Sequence, residues 1–366
     1  MKILMVGFAK LARMPYVNVY LEALADMGHE IHLLYWNRDE EEEVLNSKDI
    51  NCYHEFKRLQ DDEVEKLTKI PNFLRYRRFA KRLLRENSFD LLIVMHTMPA
   101  ILLWDELRGR YSGRYIFDFR DLTLERFALF RRVVHSIAER SAAVLVSSDA
   151  FRGYLPDHRA IYTSPNLDLD LLDHRGVRRD APRNVAPIRI RYWGLVRHEQ
   201  VNRAIIDHLG NDPRFQLDYH GSGGRTAESL KRHIVDRGIA NVHFHGAYLP
   251  NERYAFAVET DVLLNAYEND ATTIHAMGNK FYDGIALYLP QLCNAGSYMG
   301  SRVAQSKVGL AADPFSEGYG ELINAYYQSI AWGEFEANCD SALSIVIAEH
   351  RVAADAVARV ARATPN

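Results

Sequence analysis

Short apolar runs and helical periodicities alternate along the first 165 residues. "KILMVGF" at the start reads as a strand buried on both faces, since a continuous apolar run leaves no face for water. Pro15, a residue suited to a first helical turn, leads into Val17, Tyr20, Leu21, Leu24 and Met27 at helical spacing, and Gly28 is placed to close that helix. "EIHLLYW", "DLLIVM", "RYIFDF", "AAVLVSS" and "AIYT" predict further strands. Strands separated by helices imply a parallel sheet wound on both faces.

The alternation lapses between Asn166 and Pro187, in the charged, proline-bearing stretch "NLDLDLLDHRGVRRDAPRNVAP". It then restarts with "IRIRYWG", "FQLDYHG", "NVHFHG", "DVLLNAY", "LPQLCN" and "VGLAAD" as strands, and closes with "SALSIVIAEHRVAADAVARVARA" as one amphipathic helix. The expected organisation is a doubly wound α/β domain over 1–168, a linker over 169–187, a second such domain over 188–334, and a helical segment over 335–366 for which the first domain is a place to pack back. Open parallel sheets bind ligands at their carboxyl ends, so two such domains facing across a cleft put the expected site in that cleft.

Composition narrows the class. With 366 residues the chain exceeds one ordinary core, and 48% apolar with 25% charged residues is ordinary for a globular protein. A net charge of -3 gives no reason to expect nucleic acid as a partner. Cys52, Cys293 and Cys339 are too far apart for metal spacing and odd in number, which points to a reduced, cytoplasmic chain. "MKILMVGFA" is too short for a signal peptide, and "LLIVMHTMPAILLW" is short of a membrane span.

Four stretches carry candidate chemistry. "YWGLVRHE" puts Gly194 at a strand end with Arg197 and His198 behind it; "YHGSGG" supplies Gly221, Gly223 and Gly224; "FHGAYLP" repeats the pattern at Gly246. The fourth, "HAMGNKFYDGIALYLP", opens a helix near Asn279, whose side chain is a candidate cap, with Lys280 and Asp283 three apart on one face. Glycines at strand ends admit a ligand to the backbone, and a helix start with Arg and Lys nearby suits a diphosphate. A single carboxylate at Asp283 suits a diol. Each stretch alone also has a plainer reading: turns at the glycines, and a surface ion pair between Lys280 and Asp283. "GSGG" lacks the Lys-Ser/Thr of a Walker loop, and the one D-x-D, Asp168-Leu169-Asp170, lies in the linker and is not taken as a metal site.

In order and spacing, "WGLVR", "HGSG", "VHFHG", "TDVLLNAY" and "NKFYDGIALYLP", with "VSSDAFRGYLP" and "YTSPNLD" in the first domain, resemble the GT-B glycosyltransferases, particularly the retaining group called family 4. The resemblance covers nearly the whole chain. It implies a nucleotide sugar (UDP- or GDP-linked) as donor, a saccharide or lipid-linked acceptor, and no metal or other cofactor. Arg197 and Lys280 would neutralise the diphosphate, Asp283 would hold the ribose, and Gly194, Gly221 and Gly223 would make room for the nucleotide. The loop from Gly7 would approach the donor phosphate or the acceptor from the first domain. Two departures stand out. His275 lies where relatives carry a first glutamate, Glu268 being the acid nearest that role upstream. Arg120 and Asp121 stand where many relatives show a His-Asp pair.

For acceptor activation the candidates are His96, Asp118 and Asp121, each near a strand end, although retaining relatives use the donor phosphate as base in some accounts. The basic, amphipathic stretch 73–87 has the composition of a helix that lies on anionic lipid, or of an ordinary outer helix with a solvated face. The rival functions are a sugar-nucleotide epimerase of the same architecture and a non-catalytic scaffold subunit.

Overall fold

In the computed structural model, which describes residues 1–43, 47–60, 66–125, 127–158, 160–176 and 186–364, the chain forms two compact units: Met1–Asn166 with Ile347–Asn366, and Leu167–Val346. The first holds β1 (Lys2–Val6), β2 (Glu30–Asn37), β3 (Cys52–Lys57), β4 (Leu91–Met95), β5 (Tyr115–Phe119), β6 (Ala143–Val146) and β7 (Ile161–Thr163). They form one sheet in the order β3-β2-β1-β4-β5-β6-β7, parallel at every pairing. Strand order reverses at β1 and β4, so their carboxyl ends border the crevice that such a sheet leaves for ligands. Gly7 follows the first of these strands and His96 the second.

Each apolar run of the first 165 residues carries a strand, and one strand has no such run. This is β3, "CYHEFK", an edge strand where half-burial leaves polar residues in place. Phe56 is its one buried residue and packs on Trp36, Tyr76 and Phe79. The helix Ile70–Glu86 turns Tyr76, Ala80, Leu83 and Leu84 inward, so the apolar line of the basic stretch is spent on the fold. Arg77 and Lys81 pair with Asp105, while Arg75, Arg78, Arg82 and Arg85 are exposed. The helix expected to reach Gly28 is Val17–Leu24; it stops where Ala25 turns extended and Asp26 takes a φ of 58°.

The last helix, Trp332–Ala363, begins earlier than its periodicity suggests. Its Ala353, Val357 and Ala361 belong to the first unit's core with Ile3, Met5 and Leu33, and His350 pairs with Glu22 at 2.9 Å. Of the stretch expected as a linker, Leu169–His174 is a short 3-10 helix within the second unit, and 177–185 lie outside the described residues. No helix among the described residues is long and apolar enough to cross a membrane.

The second unit holds β8 (Ile188–Trp193), β9 (Phe215–His220), β10 (Val242–Gly246), β11 (Val262–Leu264), β12 (Gln291–Asn294) and β13 (Gly309–Ala312), parallel in the order β10-β9-β8-β11-β12-β13. Its order reverses at β8 and β11. Beyond the strands the backbone stays stitched: Gly194 N–H donates to the His220 carbonyl at 3.0 Å, and Gly221 N–H to the Gly246 carbonyl at 2.6 Å. A Cβ on Gly221 would lie 1.7 Å from the Gly194 carbonyl oxygen, and Gly221 sits at φ 154°. Gly246 sits at φ 85° with open space where its Cβ would be.

These two sites separate steric overlap from conformational strain. Gly221→Ala is expected to cost at least about 3 kcal/mol, because backbone must move. Gly246→Ala should cost only about 1 to 2 kcal/mol of left-handed strain. Urea unfolding of both variants measures the difference; equal losses would mean that the Gly194–Gly221 contact is not a constraint.

Candidate functional site

The first unit's candidates sort into an interior pair and an accessible pair. Asp118, on β5, is fully buried, and Arg120 is 3% exposed. Arg120 Nε donates to Asp118 Oδ2 at 2.6 Å, Nη2 donates to Ser164 Oγ at 3.1 Å, Nη1 donates to Asn166 Oδ1, and the guanidinium lies 4.4 Å from the Tyr16 ring. Burial, the largest single effect, disfavours the Arg120 charge, but the Asp118 carboxylate together with Tyr20 and Tyr16 holds the pKa above its ordinary value. These two charges neutralise each other inside the unit. Both faces of β5 are buried, so Asp118 is enclosed, whereas the Asp121 side chain, two residues past the strand end, is 70% exposed.

His96 and Asp121 make up the accessible pair. His96 Nδ1 is 3.1 Å from Asp121 Oδ2, and Nε2 meets the Tyr16 hydroxyl. A carboxylate facing Nδ1–H leaves Nε2 as the basic nitrogen, accepting from Tyr16. The backbone at His96 has φ 78° and ψ 158°, a region nearly confined to glycine that costs about 1 to 3 kcal/mol. It is held there by its N–H to the Asp118 carbonyl at 2.8 Å. Gly7, nearby in the sheet order, has its own N–H on Leu34 and its carbonyl on the Tyr76 hydroxyl, and a Cβ there would strike Met14 at 2.7 Å.

In the second unit, Lys280 and Asp283 lie on the helix Asn279–Leu287, and both are buried, at 6% and 5% exposure. They do not pair at the surface. The Lys280 ammonium lies 4.1 Å from the Tyr192 ring centre and 4.9 Å from that of Tyr267, and a Cβ on Gly194 would stand 3.7 Å from it. Among the described residues it makes no ion pair. Asn279 does not cap this helix; Gly278 occupies the N-cap, where a Cβ would meet the Tyr267 hydroxyl at 2.8 Å and its ring at 3.0 Å. The helix therefore starts without a side-chain cap, beside a buried cation.

Asp283 accepts from Trp193 Nε1 at 2.8 Å and lies 3.9 Å from Arg253 Nε. Arg253 also donates to Asp168, so the D-x-D aspartate is engaged by a guanidinium. Burial raises the Asp283 pKa above the usual carboxylate value, against the lowering effect of Arg253, the Trp193 hydrogen bond and Lys280. Arg253 and Trp193 escaped the sequence reading. Arg253 follows no glycine and opens the helix Glu252–Val258, and Trp193 reads only as the last apolar residue of β8.

Arg197 is exposed beyond Gly194. His198 follows at φ 60°, with its pKa pushed down to about 4 by burial and by the charges of Arg197 and Lys280. His198 Nδ1 is 3.9 Å from Glu268 Oε2, so Glu268 reaches this neighbourhood directly. His275 is half-buried in the turn that Asp270 organises by accepting from the N–H groups of Thr272 and Thr273. The side-chain directions of Gly221 and Gly223 are filled by protein, Gly194 in one case and Val196 at 2.6 Å in the other. Their glycine requirement follows from packing of the 194–196 loop.

The carboxylate buried at Asp283 costs stability in the free protein. A carboxyl pKa raised by folding destabilises in full above the raised value, and the loss shrinks as pH falls below it, vanishing at the ordinary carboxylate pKa. Asp283→Asn should therefore melt higher than the parent at neutral pH, with the gap closing in acid, as scanning calorimetry at several pH values would record. A variant that melts lower at neutral pH would assign Asp283 a net stabilising role.

No protein-family model and no curated protein matches the chain. Solved structures match it in fold over nearly all of its length. Sucrose-phosphate synthase from Thermosynechococcus elongatus matches with a TM-score of 0.74 at 14% identity, covering 99% of this chain and 98% of that one. WaaG, a glycosyltransferase involved in lipopolysaccharide biosynthesis, matches at 0.64 with 14% identity, covering 98% and 99%. HepE of Anabaena, solved with UDP and glucose, matches at 0.64 with 13% identity, covering 99% of each chain. Two parallel-sheet, Rossmann-like units, of seven and six strands, thus give this chain the GT-B fold of those glycosyltransferases.

Proposed function

We propose that the protein transfers a sugar from a nucleoside-diphosphate sugar to an acceptor hydroxyl. The observation that carries this reading is Lys280: a buried ammonium at a helix start, seated on two tyrosine rings, with no ion-pair partner among the described residues. A diphosphate would supply the missing anion, met by Lys280, by Arg197 and by the N–H groups opening the Asn279–Leu287 helix. The leaving diphosphate gains charge during transfer, so these groups would also lower the barrier, with no metal called for. Asp283, fixed by Trp193 and Arg253, would take the ribose hydroxyls. That HepE of Anabaena was solved with UDP-glucose supports a nucleotide sugar as the donor class.

On the acceptor side the reading rests on His96, whose Nδ1 faces Asp121 and whose backbone is held in a costly conformation. Its Nε2 would take the hydroxyl proton, with Tyr16 yielding its place to the acceptor. We extend the reading to hexosyl transfer with retention, on a saccharide or lipid-linked acceptor of surface polysaccharide or glycoconjugate synthesis. Exposed Arg75, Arg78, Arg82 and Arg85 would favour an anionic membrane face for such an acceptor.

Thermal-shift titration with UDP, GDP and ADP tests the donor site, since a ligand of the folded state raises the melting temperature. At least one should stabilise the parent, and Lys280→Ala and Asp283→Ala should each weaken that binding about tenfold or more. Parent-like binding by both variants would sink the assignment. His96→Ala should leave nucleotide binding intact and lower kcat about 100-fold or more in a transfer assay. A change confined to KM would make His96 a positioning residue. Interconversion of the donor sugar without transfer would identify an epimerase, and nucleotide binding without turnover a scaffold.

A further inference from the structure

The strand that the hydrophobic pattern does not reveal brings a second set of chemical groups together. Pairing of β2 with β3 sets His32 opposite Cys52 and Leu34 opposite His54. Side chains alternate along strands, so His32, Cys52 and His54 emerge on one face of the sheet. Ligand atoms of all three lie within 4.8 Å of one another. His32 Nδ1 is 2.8 Å from His54 Nε2, while His32 Nε2 is 2.7 Å from Glu30 Oε1. His32 is 4% exposed, with the Phe89 ring edge-on to it at 5.3 Å, and Cys52 and His54 are half-buried.

We propose that His32, Cys52 and His54 form a binding site for a zinc-class transition-metal ion, separate from the nucleotide chemistry of the second unit. One thiolate and two imidazoles are the donors such ions select, and magnesium and calcium avoid. Glu30 fixes the tautomer: the proton of His32 sits on Nε2, facing the carboxylate, and the Nδ1 lone pair faces the cluster. This carboxylate–histidine arrangement orients and strengthens a metal-binding imidazole. Without metal, His54 Nε2–H donates to His32 Nδ1. On binding, the Cys52 thiol gives its proton to solvent and His54 carries its own on Nδ1, so that three lone pairs meet an ion whose charge state does not change.

For the two imidazoles the geometry needs little adjustment. Two metal–nitrogen bonds of about 2.0 Å at a tetrahedral angle set their nitrogens about 3.3 Å apart, so the rings separate by about 0.5 Å from their present 2.8 Å. Three protein ligands leave a fourth position for water, reachable because Cys52 and His54 are half-exposed. The ion would tie the edge strand β3 to β2, and its binding energy would add to the stability of this sheet edge.

The test uses the full-length, untagged chain, stripped with a chelator and titrated with Co2+ alone. One equivalent should bind and produce a near-ultraviolet thiolate-to-cobalt charge-transfer band that Zn2+ then displaces. Cys52→Ser should abolish the band, and Glu30→Gln, which keeps all three donors, should weaken Co2+ binding about tenfold or more. Zn2+ should raise the melting temperature of the parent and not of Cys52→Ser or His54→Ala. Absence of the band in the parent overturns the proposal whatever the variants do. Persistence of the band in Cys52→Ser also overturns it, by assigning the thiolate to buried Cys293 or Cys339.

Discussion

The carbonyl oxygen of Gly194 occupies the space that a side chain on Gly221 would need, and much of the second unit depends on that contact. It allows the loops leaving β8 and β9 to lie against each other, with Val196 N–H donating to the Ser222 carbonyl at 2.7 Å. The packed loop in turn leaves the backbone at Gly194 open toward Lys280. The helix Asn279–Leu287 then starts where Tyr192 and Tyr267 can receive the ammonium. Two missing side chains thus place a cation, a helix start and a peptide group in one neighbourhood.

The two units treat buried charge in opposite ways. In the first, Asp118 and Arg120 neutralise each other, with Ser164 and Asn166 taking further guanidinium N–H groups. In the second, Asp168, Arg253 and Asp283 form a chain of alternating charge, whereas Lys280, one helical turn from Asp283, makes no ion pair among the described residues and sits on aromatic faces. Cation–π contacts return about 2 kcal/mol when desolvated, against several kcal/mol for taking an ammonium out of water. The balance is unfavourable without an anion. Arg120 is thus a buried cation spent on the fold, and Lys280 a buried cation for which, among the described residues, no ion-pair partner stands in.

Legibility followed the strength of the physical signal. Long apolar runs such as "LLIVM" and "YIFDF" report burial on both faces, and each is a strand. β3 was illegible because an edge strand needs only a partial apolar face, and Tyr53, His54 and Glu55 interrupt its pattern. The cap of the Asn279–Leu287 helix was misread for another reason. Asn279 has the right chemistry, but the N-cap falls one residue earlier, at Gly278, where Tyr267, twelve positions before Asn279, crowds the space of a side chain.

By itself the sequence determined two parallel sheets, the glycines at the ends of β8, β9 and β10, and a Lys and an Asp one helical turn apart. Periodicity fixes these because it is a local property, set by which face of each element avoids water. Only the tertiary structure decided which charges are neutralised. Asp118 and Arg120 turn inward while Asp121 stays out, and Arg253 arrives beside Asp283 from thirty positions away. His32 and Cys52, twenty positions apart, become direct neighbours through a strand pairing. Such meetings depend on the order in which strands join a sheet, and the chain's local chemistry does not encode that order.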